Sequence, residues 1–151
     1  MACAKLLEYL DSHRVRYVSV KHSPAFTAQE LAAATHIPGK EVAEVVVVKL
    51  DGEMAMVVLP APEMVRMNHL RVETESDYVE LASEEEFKGR FPDCEVGAMP
   101  PFGNLFEMRT LVEESLTEDV DIAFNAGSHT ELIRMSYADF EELVQPEVLR
   151  G

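Results

Sequence analysis

Hydrophobic and polar positions along this chain point first to one hairpin, Val42 to Pro60 (VAEVVVVKLDGEMAMVVLP). Val45 to Val48 is a run of four β-branched residues, a pattern that suits a strand covered on both faces better than an edge. The return run, Met54 to Leu59, is equally apolar. Asp51-Gly52 between them is a dipeptide favoured where both central turn residues need positive φ. Val42 to Leu50 and Met54 to Leu59 are therefore expected to pair antiparallel, with Val46 and Val48 buried. A domain of this size holds about one such central layer, so the other elements are expected to pack on it. One charge interrupts the pattern. Glu44 must find a partner or line a cavity, because burying a carboxylate unpaired costs several kcal/mol.

The remaining pattern reads as short helices and strands without repeats. Met1 to Leu10 opens as an amphipathic helix, with Leu6, Leu7 and Leu10 on one side of Ala4 to Leu10. Arg16 to Val20 is a short strand by β-propensity. Thr27 caps a helix over Ala28 to Thr35, and Glu30 completes a capping box. Pro38-Gly39 breaks the chain before the hairpin. After it, Glu63 to Leu70 reads as a helix and Asp77 to Leu81 as a strand. Ser83 caps a helix in EEEFKGRF, whose acidic residues sit at its positive end.

Two glycines and two prolines fix the loop Val96 to Phe106 (VGAMPPFGNLF). Leu111-Val112, Asp121 to Phe124 and Glu131 to Met135 read as three more strands, with Asn125 to His129 as the connection between the last two. Ala138 to Val144 is a closing helix, stopped near Pro146. Strands outnumber helices and most neighbours can join by turns. The expected class is α+β, a mixed, largely antiparallel sheet with helices around it, in a single domain over residues 1–151.

Composition then narrows the function. A hydrophobic content of 47% suffices for one core. No apolar run of about 18 residues could span a membrane, and no signal-peptide pattern opens the chain. Cys3 and Cys94 have no CxxC spacing and make neither a disulfide framework nor a zinc site; they read as free thiols in a reducing cytoplasm. The net charge of −15 argues against a long nucleic-acid footprint, which needs clustered Lys and Arg, but leaves room for brief contact with one nucleotide end. Met54, Met56, Met64, Met67 and Met99 are expected to fill core gaps. His13, His36 and His69 are expected at the surface, and Glu84 to Glu86 and Glu113-Glu114 on solvated faces.

HSPAFTAQELA, the hairpin, GAMPPFG, FNAGSHTELIRM and the last helix occur in an order and spacing similar to the YbaK family. These are stand-alone relatives of the editing domain inserted in bacterial prolyl-tRNA synthetases, and the resemblance spans nearly the whole chain. It implies a barrel-like mixed sheet surrounded by helices. It also implies trans-editing, the hydrolysis of the ester of a mischarged aminoacyl-tRNA that carries an amino acid such as alanine or cysteine. The implied partner is the 3′ end of an aminoacyl-tRNA, met transiently, with an aminoacyl-tRNA synthetase as a further candidate. No DNA, membrane, metal or cofactor is implied.

Ester hydrolysis needs a polarised carbonyl, an activated water and orientation. Gly97 and Pro101 match the family's GxxxP loop, where backbone N–H groups can point at an ester carbonyl; as residues alone they make a rigid corner. Gly127, Ser128 and His129 match the second glycine turn, whose histidine contacts the aminoacyl group in the family; by itself such a histidine is a surface hydrogen-bonder. His22 lies in a segment that borders the family's pocket. In the hairpin the family pattern VAKT gives way to VAEV, so Glu44 stands where the resemblance implies a substrate-orienting lysine near the terminal phosphate. A carboxylate repels phosphate and can instead hold an ammonium or act as a general base. Lys49, five residues along, falls on the opposite face. Lys21 and Lys40 lie on neighbouring loops, and Val45 lacks the hydroxyl of the family threonine. The expected site thus combines Gly97, Pro101 and Glu44 as candidate catalytic positions with His129, Gly127, Ser128 and His22 as candidate substrate-binding ones. Two functions follow: a deacylase of altered specificity, or a catalytically silent relative that binds an amino acid, an aminoacyl nucleotide or a protein.

Overall fold

The computed structural model describes residues 3–151, so Met1 and Ala2 of the expected first helix lie outside the described residues. In chain order the elements are α1 (Ala4–Ser12), β1 (Tyr17–Lys21), α2 (Ala28–Thr35), β2 (Ala43–Leu50), β3 (Glu53–Pro60), α3 (Met67–Glu73), β4 (Val79–Leu81), α4 (Glu84–Phe87), β5 (Arg109–Glu113), β6 (Asp121–Ser128), β7 (Glu131–Ser136), α5 (Tyr137–Val144) and β8 (Glu147–Leu149). Short 3-10 turns link several of them, including Gly39–Glu41 before β2 and Gly103–Phe106 within the long glycine- and proline-rich loop.

The hairpin is central, as its pattern requires. β2 and β3 pair antiparallel over their full length, from Ala43 opposite Pro60 to Leu50 opposite Glu53. Asp51 and Gly52 take φ values of 50° and 87°, the paired positive angles that match the right-handed twist of the flanking strands. Both strands are internal to a five-stranded sheet of order β4-β2-β3-β5-β8, and β3 is covered on both faces by the inter-sheet layer and by Leu70 of α3. Val48 is fully buried, while Val46 is only half-buried.

A second sheet, of order β1-β7-β6, lies apart from the first. Four strand pairings are antiparallel and two, β3 with β5 and β5 with β8, are parallel. The fold is therefore α+β and largely antiparallel, but the barrel-like sheet expected from the resemblance is two open sheets. They approach where Val42 bridges Ala123.

Three apolar clusters show how the layers are filled. Between the sheets, Leu6 and Leu10 of α1 meet Ala43, Val47, Met56, Phe124, Ile133 and their neighbours. Phe102 anchors this layer, with Phe124 and Phe140 at 5.6 and 5.5 Å between ring centroids, pairs worth about 0.5–1.5 kcal/mol each beyond their burial. On the outer face of the larger sheet, Leu70 of α3 covers Val48, Val57, Leu59 and Leu111. On the outer face of the smaller sheet, Leu31 of α2 covers Val42, Ala61, Ala123 and Leu132.

Several local expectations shift. The helix expected over Glu63 to Leu70 starts at Met67 and runs to Glu73, because Glu63 N–H turns back to the Pro60 carbonyl and Arg66 is still extended. Asn125 to Ser128 continues β6 as a bulged strand end instead of forming a separate loop. The three-residue β8 follows Pro146, where no pattern announced a strand. Met64 is 84% exposed and fills no core gap. His69 is half-buried. Glu113 is buried, not solvated, with Arg66 at 3.6 Å; burial pushes its carboxyl pKa up while Arg66 opposes the rise. Both cysteines are free thiols. Among the described residues, no helix is long and apolar enough to cross a membrane.

Candidate functional site

Gly97 and His129 stand 32 positions apart in sequence, and the fold sets one against the other: a Cβ built on Gly97 would lie 3.5 Å from His129 Cε1. The route to this contact begins at the bulge of β6. Gly127, at φ 101°, turns the strand end so that its N–H donates to the Ala98 carbonyl and its own carbonyl accepts from Glu95 N–H. These two bonds lay the Glu95–Ala98 segment along the turn. Cys3, the residue before α1, closes the other side by donating its N–H to the Ala126 carbonyl.

His129 is the clasp of the site. Its backbone N–H donates to Glu95 Oε2 at 3.0 Å, and its carbonyl accepts from Ala25 N–H. Its Nδ1 lies 3.2 Å from the Ala25 carbonyl and its Nε2 lies 3.0 Å from the Val96 carbonyl. A neutral imidazole carries a single N–H, so it donates to one of these carbonyls at a time and to both only when protonated. Glu95 Oε2 also lies 3.9 Å from Nε2. The ring is therefore occupied in joining two loops, and its chemistry here is positioning.

The exposed Gly97, at φ 86°, leaves the loop open to close approach. Its N–H faces only the thioether of Met99, at 3.2 Å, and sulfur is a weak acceptor that a carbonyl oxygen would displace. Pro101 is buried and stiffens the loop from behind. Ser128 is buried with its hydroxyl against Thr130 Oγ1 at 3.3 Å, inside the turn. His22 N–H donates to the Thr130 carbonyl, and Nδ1 lies 2.7 Å from the Ser23 carbonyl. Its Nε2 is enclosed without a hydrogen-bond partner among the described residues.

Glu44 is placed differently. It is extended in β2 on the face shared by Val42 and Val46, outside the layer between the sheets. Val42, two residues before it, packs in the same cluster as Ala25, whose carbonyl faces His129. No hydrogen bond or ion pair joins Glu44 to Gly97, Gly127 or His129 among the described residues. Burial raises its carboxyl pKa, and no cation among the described residues offsets the rise. Lys49 cannot help, because its ammonium is held by Glu80 at 2.9 Å and by Glu86. Lys40 faces Asp119 instead, and Lys21 is exposed at the end of β1.

A stability consequence follows directly. Because the folded-state pKa of Glu44 is raised, the folded chain binds that proton more tightly than the unfolded one, and stability falls as pH rises from the ordinary value of 4.5 through the raised one. Glu44→Gln removes the half-buried charge and should raise the thermal midpoint at neutral pH. The gain should vanish once the pH falls below 4.5. Melting curves across that range check it, and a gain that persists in acid would point to a cause other than the charge.

Three site residues were absent from the sequence-level expectation: Glu95, Val96 and Phe26. Glu95 and Val96 are reached only through the bulge at Gly127, a tertiary feature. Phe26, next to the capping residue Thr27, packs its ring on His129 at 4.7 Å between centroids.

These features describe an α+β fold with a candidate site, a glycine loop against a histidine, at the end of its smaller sheet. The chain belongs to the aminoacyl-tRNA editing domain family, whose model matches residues 22–143. No curated protein matches it significantly in sequence. Among solved structures, the hypothetical protein APE2540 is similar over 95% of this chain and 96% of its own, with a TM-score of 0.85 and 20% identity. A candidate trans-editing enzyme for prolyl tRNA synthetase is similar over 95% of this chain and 92% of its own, at 0.79 and 16%. A candidate signal transduction protein from Marinobacter aquaeolei VT8 covers all of this chain with 30% of its own, at 0.75 and 14%. At these identities the likenesses establish the fold.

Proposed function

We propose that this chain is a cytoplasmic aminoacyl-tRNA deacylase of the YbaK type that acts in trans, hydrolysing the ester of a mischarged tRNA. The observation that carries it is the meeting of Gly97 with His129 in a member of the editing-domain family. In this reading the ester carbonyl takes the place of the Met99 sulfur at Gly97 N–H, so the charge that develops on oxygen meets a fixed donor. Water attacks the carbonyl carbon, the bond to the ribose oxygen breaks, and a free amino acid and an uncharged tRNA leave. His129 keeps the Gly97 loop and the Ala25 segment in register around the ester. Pro101 limits the loop's freedom, and Gly127 with Ser128 shapes the turn behind it. In this reading Glu44, where the family resemblance implies a lysine, meets the terminal phosphate side of the substrate, and His22 lies on the segment that leads to Ala25.

A panel of mischarged tRNAs tests the proposal. Wild-type chain should release amino acid from at least one of them. Gly97→Ala should lower that rate by about 10²-fold, the scale of losing one oxyanion donor or its access. Its stability cost should stay near 1 kcal/mol, because the added Cβ meets His129 only at ordinary contact distance and the penalty is mainly the positive φ. No release from any tRNA would sink the deacylase reading and leave a silent binder.

A further inference from the structure

The seven phenylalanines of this chain divide unevenly. Phe87, Phe91, Phe102, Phe106, Phe124 and Phe140 are at most 8% exposed, whereas Phe26 is 67% exposed. Phe26 directly precedes the N-cap of α2, where an apolar residue ordinarily folds back on the fourth helical residue as a staple. Here that residue, Leu31, is buried with Ala25, Val42 and Leu132, and Phe26 stays outside that cluster. Its ring lies instead on His129, with 42° between the planes. The backbone beneath it is held: Phe26 and Thr27 N–H both donate to Glu30 Oε1, at 3.3 and 3.1 Å. Val96, 40% exposed, flanks the same histidine through its carbonyl. An exposed aromatic ring on a fixed backbone has been withheld from both the core and the helix staple.

We propose that Phe26 is the stacking platform for the terminal purine base of the nucleic acid, an inference that rests on aminoacyl-tRNA being the substrate. Charge points to a base and not to the backbone. A chain of net charge −15 gains little from phosphates, which need clustered cations, whereas a base face is neutral and stacks on an aromatic ring. A base on Phe26 leaves its sugar beside His129 and the Gly97 loop, where the ester would be read.

The chain contains no tryptophan, so Phe26→Trp introduces a single indole reporter at an exposed position. Titration with the trinucleotide cytidylyl-cytidylyl-adenosine should quench its fluorescence saturably. Adenosine alone should quench it to an extent that added salt does not change, since no counterions are released. In kinetics, Phe26→Ala should raise KM for a mischarged tRNA about 10-fold with kcat held within about twofold. Its loss on a simple aminoacyl alkyl ester, which has no base, should be clearly smaller than on the tRNA. Absence of quenching overturns the proposal, as does an unchanged KM. An equal loss on both esters also overturns it and assigns the ring to the aminoacyl group. If wild type cleaves no ester at all, the deacylase reading fails, and the quenching titration still decides the role of Phe26.

Discussion

Gly127→Ala is expected to lower the thermal midpoint by about 10 °C, among the largest effects of any single methyl group in this chain. Two costs combine. At φ 101° an L side chain is strained by roughly 1–3 kcal/mol, and the new Cβ would sit 2.8 Å from Cys3 Cβ and 3.0 Å from Cys3 N. Neither contact can rotate away, because one atom is backbone and the other is bound to it. Forced overpacking of this kind adds roughly another 1–3 kcal/mol. Gly52→Ala is the control: its φ is 87°, but nothing lies within 4 Å, so only the conformational cost applies. Gly103→Ala isolates the opposite case, a Cβ that would overlap Thr110 Oγ1 and the Met108 carbonyl. Thermal melts of the three variants should place Gly52→Ala well above the other two. If Gly127→Ala instead melts with Gly52→Ala, Cys3 is free to move and the floor of the turn is looser than its hydrogen bonds to Ala126 and Ala98 imply.

What the sequence made legible depended on how local the cause was. The Asp51-Gly52 turn, the Thr27 capping box and the Ser83 cap are each decided by residues within four positions, and all formed where expected. The start of α3 was misplaced because prolines before it mark a break without saying how long the extended segment after it runs. β8 was invisible because three residues carry no period, and only β5 alongside makes it a strand. Glu113 looked like part of an acidic surface, since nothing nearby in sequence reveals that Arg66 and the sheet cover it.

The same distinction governs the site. Gly97 and His129 were singled out from motifs, but their contact depends on the bulge between Asn125 and Ser128. Glu95 enters only through that geometry, since its spacing from His129 carries no periodic signal. Phe26 was adjacent to a recognised cap and was still missed, because only the fold brings its ring onto His129.

Glu44→Lys is expected to raise deacylation of at least one mischarged tRNA about 100-fold, a difference of about 2.7 kcal/mol. The argument is electrostatic. Glu44 is half-buried, has no cation beside it among the described residues, and lies two residues along β2 from Val42, which shares a cluster with Ala25. An approaching tRNA brings phosphates toward a chain already at −15, and if the ester is read at Gly97 and His129 as proposed, a half-buried carboxylate on the neighbouring strand adds repulsion. Lysine reverses that sign and leaves Lys49 in its pairs with Glu80 and Glu86 undisturbed. Glu44→Gln separates the two halves of the effect: it removes repulsion without supplying attraction, so its gain should be smaller than that of lysine and less sensitive to salt. Rates measured at low and high ionic strength for all three proteins make the comparison. Should Glu44→Lys and Glu44→Gln both lose activity, the carboxylate works in the reaction, as a base for water or a hold on the substrate ammonium. Its raised pKa would then be the property under use, and the rate should climb as pH rises through it.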